Sequence, residues 1–257
     1  MKLCHFIFQN REFWGGFQNQ RVFPFPAAEN FAALKGDLNL TESFAAEEVK
    51  FLPPATPSKI VCVGRNYAEH AAELGNEVPA EPLLFLKAPS AIISENEPII
   101  LPAQSAQIEH EGELAVVIGR TCKNLSDDEN PFEYVFGYTC LNDVTARDIQ
   151  RRDIQFTRGK SFDTFCPIGP FIETELDVRD ISVTTKVNGV VKQAGRTSQM
   201  VFPVDFLIRY ISKQMTLMPG DVIATGTPAG VSRLLDGDIC EVEIEGIGVL
   251  KNPVRAA

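Results

Sequence analysis

At 257 residues the chain has length for one large domain, or a large and a small one, and for a sizeable core. Its formal net charge of −10 argues against a nucleic-acid binder, since neutralising phosphates needs a surplus of Lys and Arg. An anionic small molecule stays possible because it responds to local charge, and the 44% hydrophobic, 23% charged composition is that of an ordinary soluble globular protein.

The first eight residues, Met1 to Phe8, are apolar but give way at once to Gln9-Asn10-Arg11-Glu12. That run is too short for a signal peptide, and no later stretch reaches membrane-spanning length. Six cysteines (Cys4, Cys62, Cys122, Cys140, Cys166, Cys240) are scattered without a C-x-x-C pair. They read as reduced, small hydrophobes, so a cytoplasmic location is expected and the sequons at Asn39 and Asn124 carry no meaning. Eighteen Phe against one Trp and four Tyr is a skew with no functional reading. Residues 1–52 mix short apolar alternations with Gly15-Gly16 and the prolines Pro24 and Pro26, as in a small β module. The stretch Phe51 to Pro57 resists helix and central strand, which sets a boundary between a module at 1–56 and a larger region at 57–257.

The larger region opens with a buried strand, Lys59 to Gly64. A two-turn helix follows, with Asn66 as N-cap, Glu69 in the capping-box position, Gly75 as stop and Tyr67, Ala71 and Leu74 as the apolar stripe. His70 and Glu73, three apart, are neighbours on it. They are either a surface ion pair or a general base with its orienting partner. Leu83 to Lys87 reads as a strand whose terminal Lys87 snorkels outward, leaving it a weak substrate candidate. Pro98 and Pro102 bracket another strand.

The acidic stretch Ile108-Glu109-His110-Glu111-Gly112-Glu113 then runs into Leu114 to Ile118, a β-branched run that reads as a buried strand. Alternation puts Glu109, Glu111 and Glu113 on one face and His110 on the other. Two carboxylates leading into an apolar strand repel unless a cation or a proton intervenes, so the stretch is either a solvent-facing fraying edge or half of a cation site. A core strand, Tyr134 to Leu141, delivers Asn142-Asp143. The helical pattern after it makes Asp143 an N-cap or a further ligand, with Arg147 and Gln150 on its face. Arg158 to Thr164 lacks the spaced glycines of a phosphate loop. The remainder reads as β, with an Asn188-Gly189 hairpin, a helix around Pro203–Lys213, and a strand ending in a Gly-Pro turn that could hold the Thr227 hydroxyl toward a ligand.

Five blocks fall in the order of a known family: Gly64-Arg65-Asn66-Tyr67-Ala68-Glu69-His70, His110-Glu111-Gly112-Glu113-Leu114-Ala115, Asn142-Asp143-Val144-Thr145-Ala146-Arg147-Asp148, Gly159-Lys160-Ser161-Phe162-Asp163 and Gly226-Thr227-Pro228-Ala229-Gly230-Val231. Over about residues 57–254 the chain resembles the fumarylacetoacetate hydrolase family. The resemblance implies an α+β, predominantly β fold, a mixed β-sheet roll with short helices, usually a homodimer, binding Mg²⁺ or Mn²⁺. It makes Glu111, Glu113 and Asp143 the metal ligands, and His70 with Glu73 the acid–base pair on a mobile lid helix. Lys160, Gln150 and Thr227 match positions that contact substrate oxygens, and Arg65 joins them as a substrate-binding residue. Val63 and Arg65 stand where the name-giving hydrolase has an Asp and a Tyr. Fumarylacetoacetate is therefore disfavoured, and the chain is similar to the acylpyruvate hydrolase, oxaloacetate-processing and hydroxyheptadienedioate isomerase branch.

An all-carboxylate donor set suits a hard cation over zinc. The expected partner is a small anionic keto acid, with no nucleic acid and no membrane. The expected reaction is metal-dependent C–C hydrolysis of a 2,4-diketo acid such as an acylpyruvate, through an enolate. Isomerisation or decarboxylation of a related acid such as oxaloacetate stands second, and a metal-binding scaffold without activity third.

Overall fold

The structure is a computed structural model and describes residues 1–25 and 42–257. Pro26 and Asn39, both singled out above, lie outside the described residues. The chain starts as a meander, β1 (Lys2–Phe8), β2 (Arg11–Gln18), β3 (Arg21–Pro24) and β4 (Phe44–Ala45), after which β5 (Lys50–Leu52) returns to pair with β1. Here part of the phenylalanine excess is used. Phe6 and Phe171 form a small separate core, flanked by Phe8, Phe13, Phe17, Phe44 and Phe51. The stretch continues through β6 (Ile60–Gly64), α1 (Ala68–Glu73), β7 (Leu83–Lys87), β8 (Ile92–Ile93), β9 (Ile99–Leu101), β10 (Ile108–Glu109) and β11 (Gly112–Ile118). Next come β12 (Val135–Asn142), β13 (Thr145–Ala146), α2 (Arg147–Arg152), α3 (Thr157–Lys160) and β14 (Cys166–Glu173). The chain ends with β15 (Ser182–Val187), β16 (Val190–Arg196), α4 (Val204–Gln214), β17 (Val222–Ala224), β18 (Ile239–Ile244) and β19 (Gly248–Ala256).

These strands build one large sheet, ordered β4-β3-β2-β1-β14-β12-β11-β17-β6-β7 with β5 added on β1 and β8 on β14, a five-stranded sheet, β16-β15-β18-β19-β9, and the short pair β10-β13. The N-terminal meander joins the large sheet where Lys2 and Leu3 pair with Glu173 and Ile172. The fold is thus α+β and mostly β, with both antiparallel and parallel pairs. The strand β11 is buried at every position, because the large sheet is a wall between two cores. Ala115 and Val117 enter one core with Ile60, Cys62, Val222 and Ala224. Leu114, Val116 and Ile118 enter the other with Val61, Val63, Ile223 and the buried face of α4, Leu207, Ile208 and Ile211. A two-sided core explains why the run from Leu114 to Ile118 is apolar throughout instead of alternating.

The expected strands at 83–87 and 99–101, the α4 helix and the Asn188-Gly189 hairpin are present, the hairpin residues having φ of 52° and 77°. Two capping assignments fail. Tyr67, not Asn66, is the N-cap of α1, without a side-chain bond, while the Asn66 amide donates to Phe202 O and Thr225 O at 3.0 and 2.7 Å. Tertiary partners outcompete the local cap there. Asp143 is not an N-cap either: the β13 bridge intervenes and α2 begins only at Arg147. All six cysteines are free and buried. Among the described residues no helix is long and apolar enough to cross a membrane.

Candidate active site

The geometry of the site follows from strand pairing. In the register of β11 with β12, Gly112 faces Asn142 and Glu113 faces Leu141, so the loop end carrying Glu111 meets the end carrying Asp143. The Asp143 N–H donates to Glu111 O at 2.8 Å, which closes the pair. Gly112 between the two glutamates is required by close approach: a Cβ there would lie 2.0 Å from Thr185 Oγ1 of β15. One oxygen from each of Glu111, Glu113 and Asp143 lies within 4.8 Å of the others, and all three residues are buried. Three hard oxygen donors converging in a buried pocket fit a divalent cation of the Mg²⁺ or Mn²⁺ kind.

Glu109 does not join them. The strand breaks at His110 and Glu111, and Glu109 instead accepts from Arg147 Nε at 2.7 Å. Arg147 also donates to Glu111 through Nη2 and to Gln150 Oε1 at 2.5 Å through Nη1. Lys160 Nζ bridges Glu111 and Asp143, 2.7 Å from an oxygen of each, and lies 5.0 Å from the centre of the Phe85 ring. Lys87 does not snorkel outward: it is buried, and its Nζ donates to Asp143 Oδ1 at 2.6 Å and Val144 O at 3.2 Å. The buried Asp143 carboxylate, which Lys160 reaches through its other oxygen, holds it inside.

Protonation follows the same charges. Burial alone would raise the Glu111 carboxyl, but the neighbouring Lys160 and Arg147 charges outweigh it and hold the group well below the usual range. Among the described residues Glu113 makes no ion pair. Burial and then the Asp143 and Glu111 charges push its carboxyl well up, against the Lys160 charge and one N–H donated by Gly226 at 2.7 Å. A divalent cation beside Glu113 would reverse this.

His70 is buried at the cavity and its Nδ1 lies 3.3 Å from Glu73 Oε2. The Glu73 carboxylate is in turn anchored by the Gly230 N–H, 3.0 and 3.2 Å from its two oxygens. The turn after β17 therefore touches both halves of the site, Glu113 through Gly226 and Glu73 through Gly230. Gly226 has a φ of 98°, and a Cβ there would stand 2.7 Å from Asn66 Cβ. Thr227 lines the cavity, but its hydroxyl is spent donating to Gly112 O at 2.8 Å. Gln150 and Arg65 line the same cavity as His70, Lys160 and the three carboxylates.

Sequence reasoning missed Gln193. It is the single buried residue of β16, a strand otherwise half or fully exposed. Its Nε2 donates to Thr227 Oγ1 and Pro228 O, both at 2.7 Å, and its Oε1 accepts from Gly112 N at 3.0 Å. The same oxygen lies 3.1 Å from His110 Nδ1, which must be the donor there, leaving Nε2 to accept from Ser232 Oγ at 2.8 Å. Burial holds the His110 imidazole below its usual pKa, consistent with a neutral ring turned away from Glu111 and Glu113. A polar residue inside an exposed β hairpin gave no periodic signal by which to find this clamp.

The chain matches the family model described as fumarylacetoacetate hydrolase C-terminal over residues 59–255, and it belongs to that family, whose members are enzymes. It is similar to oxaloacetate tautomerase YisK of Bacillus subtilis, 41% identical over 226 residues that cover 82% of this chain and 75% of that protein. Its structure is similar to 5-carboxymethyl-2-hydroxymuconate delta-isomerase from Mycobacterium smegmatis, with a TM-score of 0.89, 41% identity and coverage of 100% and 99% of the two chains. It is equally similar to a fumarylacetoacetate hydrolase from Exiguobacterium antarcticum, with a TM-score of 0.90, 40% identity and full coverage of both chains.

Proposed function

We propose that the chain is an Mg²⁺- or Mn²⁺-dependent tautomerase of a 2-oxo acid of the oxaloacetate kind, working through an enolate. The observation that carries this reading is one cavity lined by Glu111, Glu113 and Asp143 together with Lys160 and His70. Glu111, Glu113 and Asp143 would hold the cation, which supplies Lewis-acid polarisation of the 2-oxo acid's oxygens. His70, its Nδ1 facing Glu73, has Nε2 left to take a proton from C3 of the substrate. The electron pair of that C–H bond moves into the C2–C3 bond and the carbonyl pair onto the 2-oxo oxygen. The Lys160 ammonium offsets the charge that develops there, and the proton taken by His70 is returned to that oxygen, directly or through a water, which gives the enol and restores the base. The return reaction reverses each transfer, so no atom is gained or lost. Phe85 and Phe156 add two aromatic side chains to the cavity wall.

Tautomerisation is placed ahead of hydrolysis because it needs one base and one enolate, and because a relative bearing the tautomerase name matches most of the chain. Hydrolysis of an acylpyruvate is the second reading: His70 with Glu73 could instead activate water toward a distal carbonyl, and a similar structure bears the hydrolase name. The test follows oxaloacetate, acetylpyruvate and 2-hydroxyhepta-2,4-dienedioate side by side by NMR, with Mg²⁺ or Mn²⁺ and with chelator. Accelerated keto–enol exchange of oxaloacetate without cleavage of acetylpyruvate is expected. Rapid cleavage of acetylpyruvate to pyruvate and acetate would move hydrolysis to first place. A homodimer is part of the same proposal, and light scattering of the full chain tests it.

A further inference from the structure

Lys160 and Arg147 in the cavity wall, and Lys87 behind it, are all engaged with carboxylates. Arg65 is different. It lines the same cavity, half-buried, and among the described residues its guanidinium has no hydrogen bond, ion pair or ring contact. Its backbone has a φ of 58°, the left-handed region that non-glycine residues rarely occupy. The neighbours impose that conformation. Gly64 ends β6 in register with Leu83, and the Asn66 side chain is fixed to Phe202 N, Phe202 O and Thr225 O at 2.8, 3.0 and 2.7 Å. A glycine would adopt this backbone without strain, yet the position carries a long cation in a cavity whose other cations, Lys160 and Arg147, are each paired with a carboxylate. Strain held by anchored neighbours at a cavity wall marks a position with a task there.

We propose that Arg65 determines specificity by pairing with a second carboxylate at the far end of the substrate, so that the site selects 2-oxo dicarboxylic acids over 2-oxo monocarboxylic acids. This rests on the tautomerase reading above, which assigns the three carboxylates and Lys160 to the 2-oxo end and leaves Arg65 for the distal end. A guanidinium–carboxylate pair in a half-buried wall gives discrimination through a fork of two N–H donors.

The test is calorimetric binding to the full chain in Mg²⁺ of two matched probes, L-malate and 2-hydroxybutyrate, which differ in having a carboxylate or a methyl group at the distal end. Wild-type protein is expected to bind malate at least about tenfold more tightly. Arg65→Gln should bring the ratio to within about twofold of unity by weakening malate alone, and Arg65→Lys should restore part of it. Arg65→Gln that binds malate as wild type does, or that weakens both probes equally, would remove Arg65's role and leave the tautomerase reading standing. A wild-type protein that binds neither probe in Mg²⁺ would remove that reading, and this proposal with it.

Discussion

Replacing Lys160 by Met separates its two tasks, holding buried charge together and serving the enolate. In the structure Lys160 Nζ is 2.7 Å from Glu111 Oε2 and from Asp143 Oδ2, with all three side chains buried. Removing one member of a buried charge cluster costs about 3–5 kcal/mol. Here each carboxylate keeps another cation, Arg147 for Glu111 and Lys87 for Asp143, so the lower end, about 3 kcal/mol, applies. At about 2–4 °C per kcal/mol for a chain of this size, the metal-free melting temperature should fall by about 6–12 °C. Mg²⁺ should then raise the melting temperature of Lys160→Met more than that of wild type, because the cation no longer competes with an ammonium for the same oxygens. Turnover should nevertheless fall by about 10²–10³ with Mg²⁺ saturating. Thermal denaturation with and without Mg²⁺, paired with the oxaloacetate assay, reads all three effects. An unchanged metal-free melting temperature, or a smaller Mg²⁺ shift than wild type gives, would refute the placement of Lys160 between the two carboxylates.

His70→Ala should lower turnover by about 10²–10⁴ with Mg²⁺ affinity retained, and Glu73→Gln should lower it by less, as steady-state kinetics beside calorimetry will measure. Gln193→Leu removes the bridge from Gly112 N to the Thr227-Pro228 turn, leaving only the Thr227 hydroxyl on Gly112 O, and should weaken Mg²⁺ binding about 10–100-fold with far-UV circular dichroism unchanged. The buried Asp221 accepts from Ser58 N, Ser58 Oγ, Lys59 N and Met218 N at 3.0, 2.7, 3.1 and 2.7 Å and pairs with Lys59 Nζ. Asp221→Ala should therefore cost about 3–5 kcal/mol in urea denaturation. Burial opposes ionisation of Asp221, but these donors outweigh it and hold its carboxyl below the usual range. Its stabilisation is therefore complete above the unfolded value of about 3.9 and is lost as pH falls through the lower folded value, so wild type and Asp221→Ala should converge in acid.

Where a signal was local, the sequence carried it. The β-branched run of β11, the Asn-Gly hairpin and the apolar face of α4 are each set by neighbours a few positions away, and each is found where pattern places it. The convergence of Glu111, Glu113 and Asp143 was also legible, through motif order more than through periodicity. What was not legible depended on partners distant in sequence. Asn66 looks like a cap until Phe202 and Thr225 claim its amide. Lys87 looks like a snorkelling strand end until Asp143, 56 residues on, holds it inside. The clamp by Gln193 joins elements that only the five-stranded sheet brings to the site, and no spacing in the chain announces it.

In the proposed function Glu111, Glu113 and Asp143 hold one divalent cation. Calorimetric titration of Mg²⁺ and Mn²⁺ into metal-free wild type and Glu113→Gln tests this, since among the described residues Glu113 makes no ion pair and a Gln can still accept the Gly226 N–H. One ion per chain is predicted for wild type, with binding weakened at least about tenfold in Glu113→Gln while the fold is kept. Equal affinity and stoichiometry in the two proteins would contradict the account.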